Sequence, residues 1–460
     1  MEPVGAPPAQ TRGLVTRVVG LDEVRPEAFL RLFGDRPRGF WARGGSWVAH
    51  AGAAHTLQVE QGSPYGPLWR AAQQVGASAA AAVDPPPTTG RQPRFYGGIA
   101  FRQDHRPVDA WAGFPAGLFV LPELEFEGGP EGYSLRANRR LDPWEDPGDA
   151  DVELRETLER LVPLLVAEDS STGHVVRPTR RTLPGQPAPG ARDLWDGVVT
   201  DALDAIEAEQ VSKVVLARTL DVTPETRLDP VDVLLALWAD NPRAHVYLFE
   251  PQPGATLLGA APETVATVHG RHFHATAVAG SVSHGDTPEA TAALAARLLA
   301  SAKDLLEHRF AVEDMVERLE GIALEVGSEW EPHVITLSRI QHLETRIRAE
   351  LPESCTVLDA LEALHPTPAV CGLPRDAALE FIHEEEPFDR GWYAGPVGWF
   401  DLAGSGVFAP ALRCAVGQGG VWRLFAGAGI VAGSQPQSEW EETGIKFEPV
   451  LRALSASDSS

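Results

Sequence analysis

Lys213 sits in the run KVVLAR, which reads as a β-strand. On a strand, alternate side chains share a face, so Lys213 goes with Val211, Val215 and Ala217. Val214 and Leu216 occupy the other face, and a strand apolar on both faces is buried. A buried lysine is costly unless paired or neutral, and a neutral amine can act as a general base. A strand-end lysine reaching water is the alternative. Glu263 ends another apolar strand, after Gly259-Ala260-Ala261. Small residues there let a backbone or ligand approach closely, and the carboxyl could serve as a general acid. A polar residue opening a turn is the plainer reading.

Two helical stretches each carry a carboxylate pair at i and i+3. SAKDLLEHRF presents Asp304 and Glu307, and QSEWEETGIKF presents Glu439 and Glu442, with Lys446 one turn further. Two such helices could clasp a hard cation; magnesium (Mg2+) takes oxygen ligands and uses one or two carboxylates with waters or substrate oxygens. Two solvated acidic faces are the alternative. Glycines in HATAVAGS (Gly280) and FAGAGIVAGS (Gly427, Gly429) expose amides suited to carboxylates. Arg413, in FAPALRCA, reads as lying on an apolar strand, where its fork would match a carboxylate. Together these residues offer a base, an acid, a cation clasp and carboxylate-binding groups, a set suited to a dianionic small substrate.

The elements that must position them alternate in type. Residues 14–165 open with short apolar runs between turn residues, such as GFWARGGSWVA and FYGGIAF, which predict antiparallel strands. A helix is expected over Asp151 to Ala167, and residues 170–192 read as a linker or surface loop. A second helix, capped by Asp193, leads into a strand over Val211 to Val222. Further strands are expected at His245 to Phe249, Thr256 to Ala261, His272 to Val278, Ala394 to Asp401, Val407 to Val416 and Val421 to Ala426. Helices are expected at Pro288 to Ile322, Val357 to Leu364, Asp376 to His383 and Gln437 to Leu454. Long helices among hairpin-like strands point to an α+β fold.

Composition narrows the partners. The chain has 460 residues and a formal charge of −25, which disfavours nucleic acid. No apolar run approaches the length of a membrane span. Three scattered cysteines argue against a disulfide scaffold and fit the cytoplasm. The first 13 residues lack a signal-peptide pattern and read as a disordered lead-in, and residues 455–460 as a disordered tail.

In chain order from Asp193 to Leu451, the runs KVVLAR, GAAPE, TAVAGS, SAKDLLEH, LHPTPAVCGLPRDAAL, RGWYAGPVGW, ALRCA, LFAGAGIV and GSQPQSEWEETGIK resemble the chorismate-binding enzyme family. The resemblance implies two large packed antiparallel β-sheets with outer helices. It makes residues 14–169 the variable N-terminal half and 193–454 the catalytic region of one continuous fold, monomeric or homodimeric. It implies chorismate as substrate and magnesium held chiefly by Glu307 and Glu442, with Asp304 and Glu439 orienting them. It further implies Lys213 as base, Glu263 as acid, and Arg413, Lys446 and amides near Gly280, Gly427 and Gly429 on the carboxylates. HPTPAV and RGWYAGPVGW are similar to the isochorismate synthases, which feed menaquinone or siderophore biosynthesis. Ala369 stands where nitrogen-using relatives carry threonine, and Val407 stands where relatives often carry an acid. Salicylate synthesis, with loss of pyruvate, and a non-catalytic chorismate binder are the alternatives.

Overall fold

The structure is a computed structural model that describes residues 13–60, 62–76, 92–142, 144–171, 183, 185–336 and 340–457. The expected lead-in, apart from Gly13, and most of the expected linker lie outside these residues.

Two antiparallel sheets form the frame. The first has 11 strands in the order β1 (Leu14–Leu21), β8 (Gly132–Arg140), β7 (Leu124–Gly129), β3 (Ser46–Ala51), β2 (Arg38–Arg43), β10 (His245–Gln252), β11 (Ala255–Ala261), β20 (Cys414–Gln418), β21 (Val421–Ile430), β9 (Lys213–Val222) and β17 (Gly372–Leu373). The second runs β14 (Glu325–Ser328), β16 (Ile340–Glu350), β13 (His272–Ser283), β12 (Ala266–His269), β19 (Gly406–Pro410), β18 (Pro396–Asp401), β5 (Arg94–Ile99), β6 (Gly117–Leu121) and β4 (His55–Val59), with β15 (His333–Thr336) beside β16. Each sheet is shared by both halves of the chain. Trp41 on β2 faces Tyr247 on β10, and Tyr96 on β5 faces Trp399 on β18. Strands of both halves thus lie side by side in each sheet of the α+β fold.

The sequence period explains the layering. Val246 and Leu248 on β10 pack outward, while Tyr247 and Phe249 enter a core that also holds Trp41, Tyr96, Phe114 and Trp392. On the second sheet, Phe95, Phe400 and Phe408 face outward and Tyr96 and Ala409 inward. Both faces of both sheets are covered, so the central strands are largely apolar on both faces, with a few buried polar residues such as Arg38, His50 and Glu250.

Helices α1 (Pro26–Leu32), α3 (Pro147–Ser171), α5 (Pro230–Asp240) and α10 (Pro436–Ser457) cover the first sheet, and α2 (Tyr65–Gly76), α7 (Ala302–Glu320) and α8 (Val357–Leu364) the second. The others are α4 (Ala191–Glu207), α6 (Pro288–Ala300) and α9 (Arg375–Glu385). No helix among the described residues is long and apolar enough to cross a membrane.

Several boundaries correct the sequence reading. Helix α4 starts at Ala191 behind Gly190, so Asp193 lies in the first turn instead of capping it; a negative charge there still suits the helix dipole. The helix expected over 288–322 is two helices. Ser301 ends α6, and its hydroxyl accepts a hydrogen bond from the Asp304 amide, capping α7. That cap places Asp304 in the first turn of α7. Helix α10 continues to Ser457, with Ser455 buried, so residues 455–457 are not a tail. The strand expected over Val407 to Val416 is also two: β19 belongs to the second sheet and β20 to the first. Arg413 therefore lies not on a strand but in the crossover, at φ +47°. An apolar run of period two does not reveal that the chain changes sheets midway.

Candidate active site

Strand β9 carries Lys213 at its first position, and β21 lies beside it. Val215 faces Gly429 and Ala217 faces Gly427. Cross-strand partners project to the same side, so both glycines lie on the face that carries Lys213. They leave a shelf with no side chains. A Cβ on Gly429 would come within 3.0 Å of Glu307 Oε1 and Lys213 Cε, and one on Gly427 within 3.0 Å of the Tyr393 hydroxyl. Strand β17 adds to β9 on the other edge, with Leu373 facing Lys213. That pairing brings in the turn carrying Ala369. Arg390 holds the turn in place by donating to the carbonyls of Val370 at 2.9 Å and Val215 at 2.6 Å.

From the second sheet comes β13. Its pairing with β16 skips a residue between Ala279 and Ser281, making Gly280 a bulge at φ +73°. The carbonyl of Gly280 accepts a hydrogen bond from His342 Nδ1 at 3.3 Å. With that proton on Nδ1, Nε2 accepts from the Arg413 guanidinium at 3.3 Å. Burial pushes His342 well below the usual imidazole range, with Arg413 and Lys446 adding to the effect, so it stays neutral and able to accept. Burial also lowers Arg413, and among the described residues no carboxylate lies within ion-pair distance of it.

Helix α7 presents Asp304 and Glu307, and α10 presents Glu439, Glu442 and Lys446. Lys213 Nζ is 2.8 Å from Glu307 Oε1, so the buried lysine is paired. Lys446 Nζ is 2.6 Å from Glu442 Oε1 and donates to the Gly427 carbonyl at 2.8 Å. Arg218, at the end of KVVLAR, steadies α10. It lies 3.6 Å over the Trp440 ring and donates to Thr443 Oγ1 at 2.7 Å.

Glu263 follows β11 and is 3% exposed, and its Oε1 has no hydrogen-bond partner. Burial pushes its carboxyl up to about 8; Glu344 adds to the rise, while Lys213 and Arg413 oppose it. A carboxyl in that state is a proton donor at neutral pH.

One cavity is lined by all twelve residues singled out from the sequence: Lys213, Glu263, Gly280, Asp304, Glu307, Ala369, Arg413, Gly427, Gly429, Glu439, Glu442 and Lys446. His342 lines it too and was not among them. Its strand, IQHLETRIRAE, alternates Leu343, Thr345, Ile347 and Ala349 with Glu344, Arg346, Arg348 and Glu350, a strand signal that the sequence reading passed over, and it pairs with β13 and β15. Val407 lies away from the cavity. It faces Thr267 and Trp399 and packs against the core between the sheets.

Glu307 and Glu442, the carboxylates that could hold a hard cation, are each paired with a lysine in this structure. With Glu263 protonated, four carboxylates among the described lining residues stand against Arg413, Lys446 and, in its charged form, Lys213, so a dianion would meet net negative charge unless a dication were added. Among the described residues no three His, Cys, Asp or Glu side chains form a metal cluster. Two carboxylates completed by water and ligand oxygens are what magnesium accepts.

The family model described as "Chorismate binding enzyme" matches residues 6–455. The isochorismate synthase MenF of Bacillus subtilis is 34% identical over 79% of this chain and 74% of its own length. The salicylate biosynthesis isochorismate synthase of Pseudomonas aeruginosa is 35% identical over 79% and 75%. Among solved structures, the menaquinone-specific isochorismate synthase MenF of Escherichia coli has a TM-score of 0.78 at 25% identity, covering 96% of this chain and 95% of that one. Anthranilate synthase component I of Streptococcus pneumoniae, at 20% identity and a TM-score of 0.68, shares the fold. A family match that spans nearly the whole chain, backed by relatives above 30% identity, makes this protein a member of the chorismate-binding enzyme family.

Proposed function

We propose that the protein is a magnesium-dependent isochorismate synthase acting on chorismate in the cytoplasm and feeding menaquinone or siderophore biosynthesis. The observation that carries the reading is the pairing of opposites in one cavity. A buried carboxyl that burial pushes up to about 8, Glu263, and a buried lysine, Lys213, line it together with Arg413, which among the described residues has no carboxylate within ion-pair distance. The names of the relatives supply the substrate class.

In this reading Arg413 and Lys446, with amides near Gly280, Gly427 and Gly429, hold the two carboxylates of chorismate. Lys213 removes a proton from a water that attacks the 2-position of the ring. The double bonds shift, the bond to the 4-hydroxyl breaks, and Glu263 gives that oxygen its proton. Water enters and water leaves, so the reaction is an isomerisation. A magnesium ion held by Glu307 and Glu442, with Asp304 and Glu439 orienting them, would neutralise the ring carboxylate. His342 keeps the guanidinium of Arg413 turned into the cavity. Acid and base steps each contribute roughly 100- to 10,000-fold, and positioning and electrostatics supply the rest.

The test is incubation with chorismate and magnesium, followed by chromatography, with a chelator-treated control. Isochorismate formed only with the metal, without pyruvate and without ammonia, is the expected result. Salicylate with equimolar pyruvate would reassign the protein to the salicylate synthases. Absence of any product would leave a binder without activity.

Arg413→Lys is expected to raise KM for chorismate by roughly 10- to 100-fold, the weight of a charge-assisted hydrogen bond. Lysine keeps the charge but loses the planar fork and its bond to His342. Steady-state kinetics reads the effect, and an unchanged KM would remove Arg413 from carboxylate binding.

A further inference from the structure

The catalytic cavity has an outer neighbour. Arg413, Lys446 and Pro262 line both cavities. The outer one has an exposed rim at Pro242, Arg243 and His284, and its wall includes the buried Ala244 and Ala260. It therefore runs from solvent to the two cations that face the catalytic centre.

Its charge is the reverse of the molecule's. The whole chain carries −25, and its far field repels a dianion. Among the described residues lining the outer cavity, Asp240 is the sole acid, and Arg452 lies 3.5 Å from it. Arg243 donates to the Thr336 carbonyl, and no carboxylate among the described residues lies within ion-pair distance of it. Arg243 at the mouth and Arg413 at the inner end are thus two guanidiniums along one passage with no carboxylate within ion-pair distance among the described residues.

We propose that this outer cavity is the entry vestibule for the dianionic substrate, with Arg243 collecting it at the mouth and passing it to Arg413 and Lys446. The inference rests on the reading of the inner cavity as a dicarboxylate site. Arg243 touches no reacting atom, so its effect falls on capture and not on chemistry.

The probe is chorismate. Its association rate constant is measured by stopped-flow tryptophan fluorescence over a range of ionic strength, and its turnover in steady state, for wild type, R243E, P242W and R155E. Arg155 lies on α3, which packs against the edge strand β1, and is 54% exposed, so R155E makes the same change in net charge far from the vestibule. For R243E the expected result is a roughly three- to tenfold fall in association rate and kcat/KM at low salt, without a matching fall in kcat. The difference shrinks as salt screens the charge. P242W narrows the mouth and slows association at every salt concentration, and R155E behaves as wild type. Association at the wild-type rate in both R243E and P242W overturns the vestibule, as does an equal loss in R155E, which would assign the effect to net charge. A wild-type protein that binds chorismate but does not convert it overturns the proposed activity alone, since the association rates still judge the vestibule. A wild-type protein that fails to bind chorismate overturns both.

Discussion

Glu263→Gln is expected to lower kcat by roughly 100- to 10,000-fold while changing chorismate binding little. Glutamine has nearly the same shape and can still donate a hydrogen bond. It cannot surrender a proton to a leaving hydroxyl. The expectation follows from the site: Glu263 is 3% exposed, has an oxygen without a partner, and is held by burial at about 8. The acid form therefore prevails at neutral pH and is lost above it, so kcat/KM should fall on an alkaline limb near pH 8. Stability carries the same signature. The carboxyl is raised from its ordinary 4.5, so the folded state holds the proton more tightly than the unfolded state. Its contribution is complete below pH 4.5 and is lost as pH rises through about 8. Thermal unfolding at pH 5 and pH 9 should show wild type losing ground to Glu263→Gln at the higher pH. A variant with wild-type kcat would end the assignment of Glu263 as the acid.

Lys213 calls for two substitutions, because it has two jobs. It pairs with Glu307 at 2.8 Å and is buried, and in the proposed reaction it also accepts a proton. Lys213→Ala removes both functions. It is expected to lower kcat by roughly 100- to 10,000-fold and to lower the unfolding temperature of metal-free protein, because the buried ion pair between Lys213 and Glu307 is lost. Lys213→Arg keeps a cation beside Glu307 but supplies no neutral amine, since arginine does not deprotonate in proteins. It should stay folded and remain as inactive as Lys213→Ala. Product formation and thermal unfolding, measured together, separate the roles. An active Lys213→Arg would mean that the position needs only positive charge, and the base would have to be sought elsewhere.

Much of the site was legible because its signals are local. The i and i+3 carboxylates of SAKDLLEH and QSEWEETGIK project together on any helix, wherever that helix lies. Lys213 alternating with Val215 and Ala217 needs only a strand. Helix α8 has the expected bounds, since Thr356 and Asp359 form a capping box written into the sequence. Errors arose where two elements share one pattern. Ser301 both ends α6 and caps α7, a break that helical periodicity passes over. The run through Arg413 keeps its alternation while the chain leaves one sheet for the other. His342 went unnoticed although residues 343–350 alternate as a strand does, because a lone histidine at the start of that strand carries no spacing signal of its own.

By itself, then, the sequence determined the chemical inventory of the site and the local geometry of each piece: a lysine on a strand, acids on helix faces, glycines at strand ends, and an ordered set of motifs shared with one family. The tertiary structure decided what those groups become. The register of β21 against β9 sets two glycines on the face of Lys213. The packing of α7 brings Glu307 to that lysine. The bulge at Gly280 supplies the carbonyl that fixes the tautomer of His342. Burial, with Glu344 nearby and against Lys213 and Arg413, turns Glu263 from a base into an acid. Each of these depends on what lies across space from a residue, and protonation and pairing respond to that surrounding dielectric and charge, not to the order of residues along the chain.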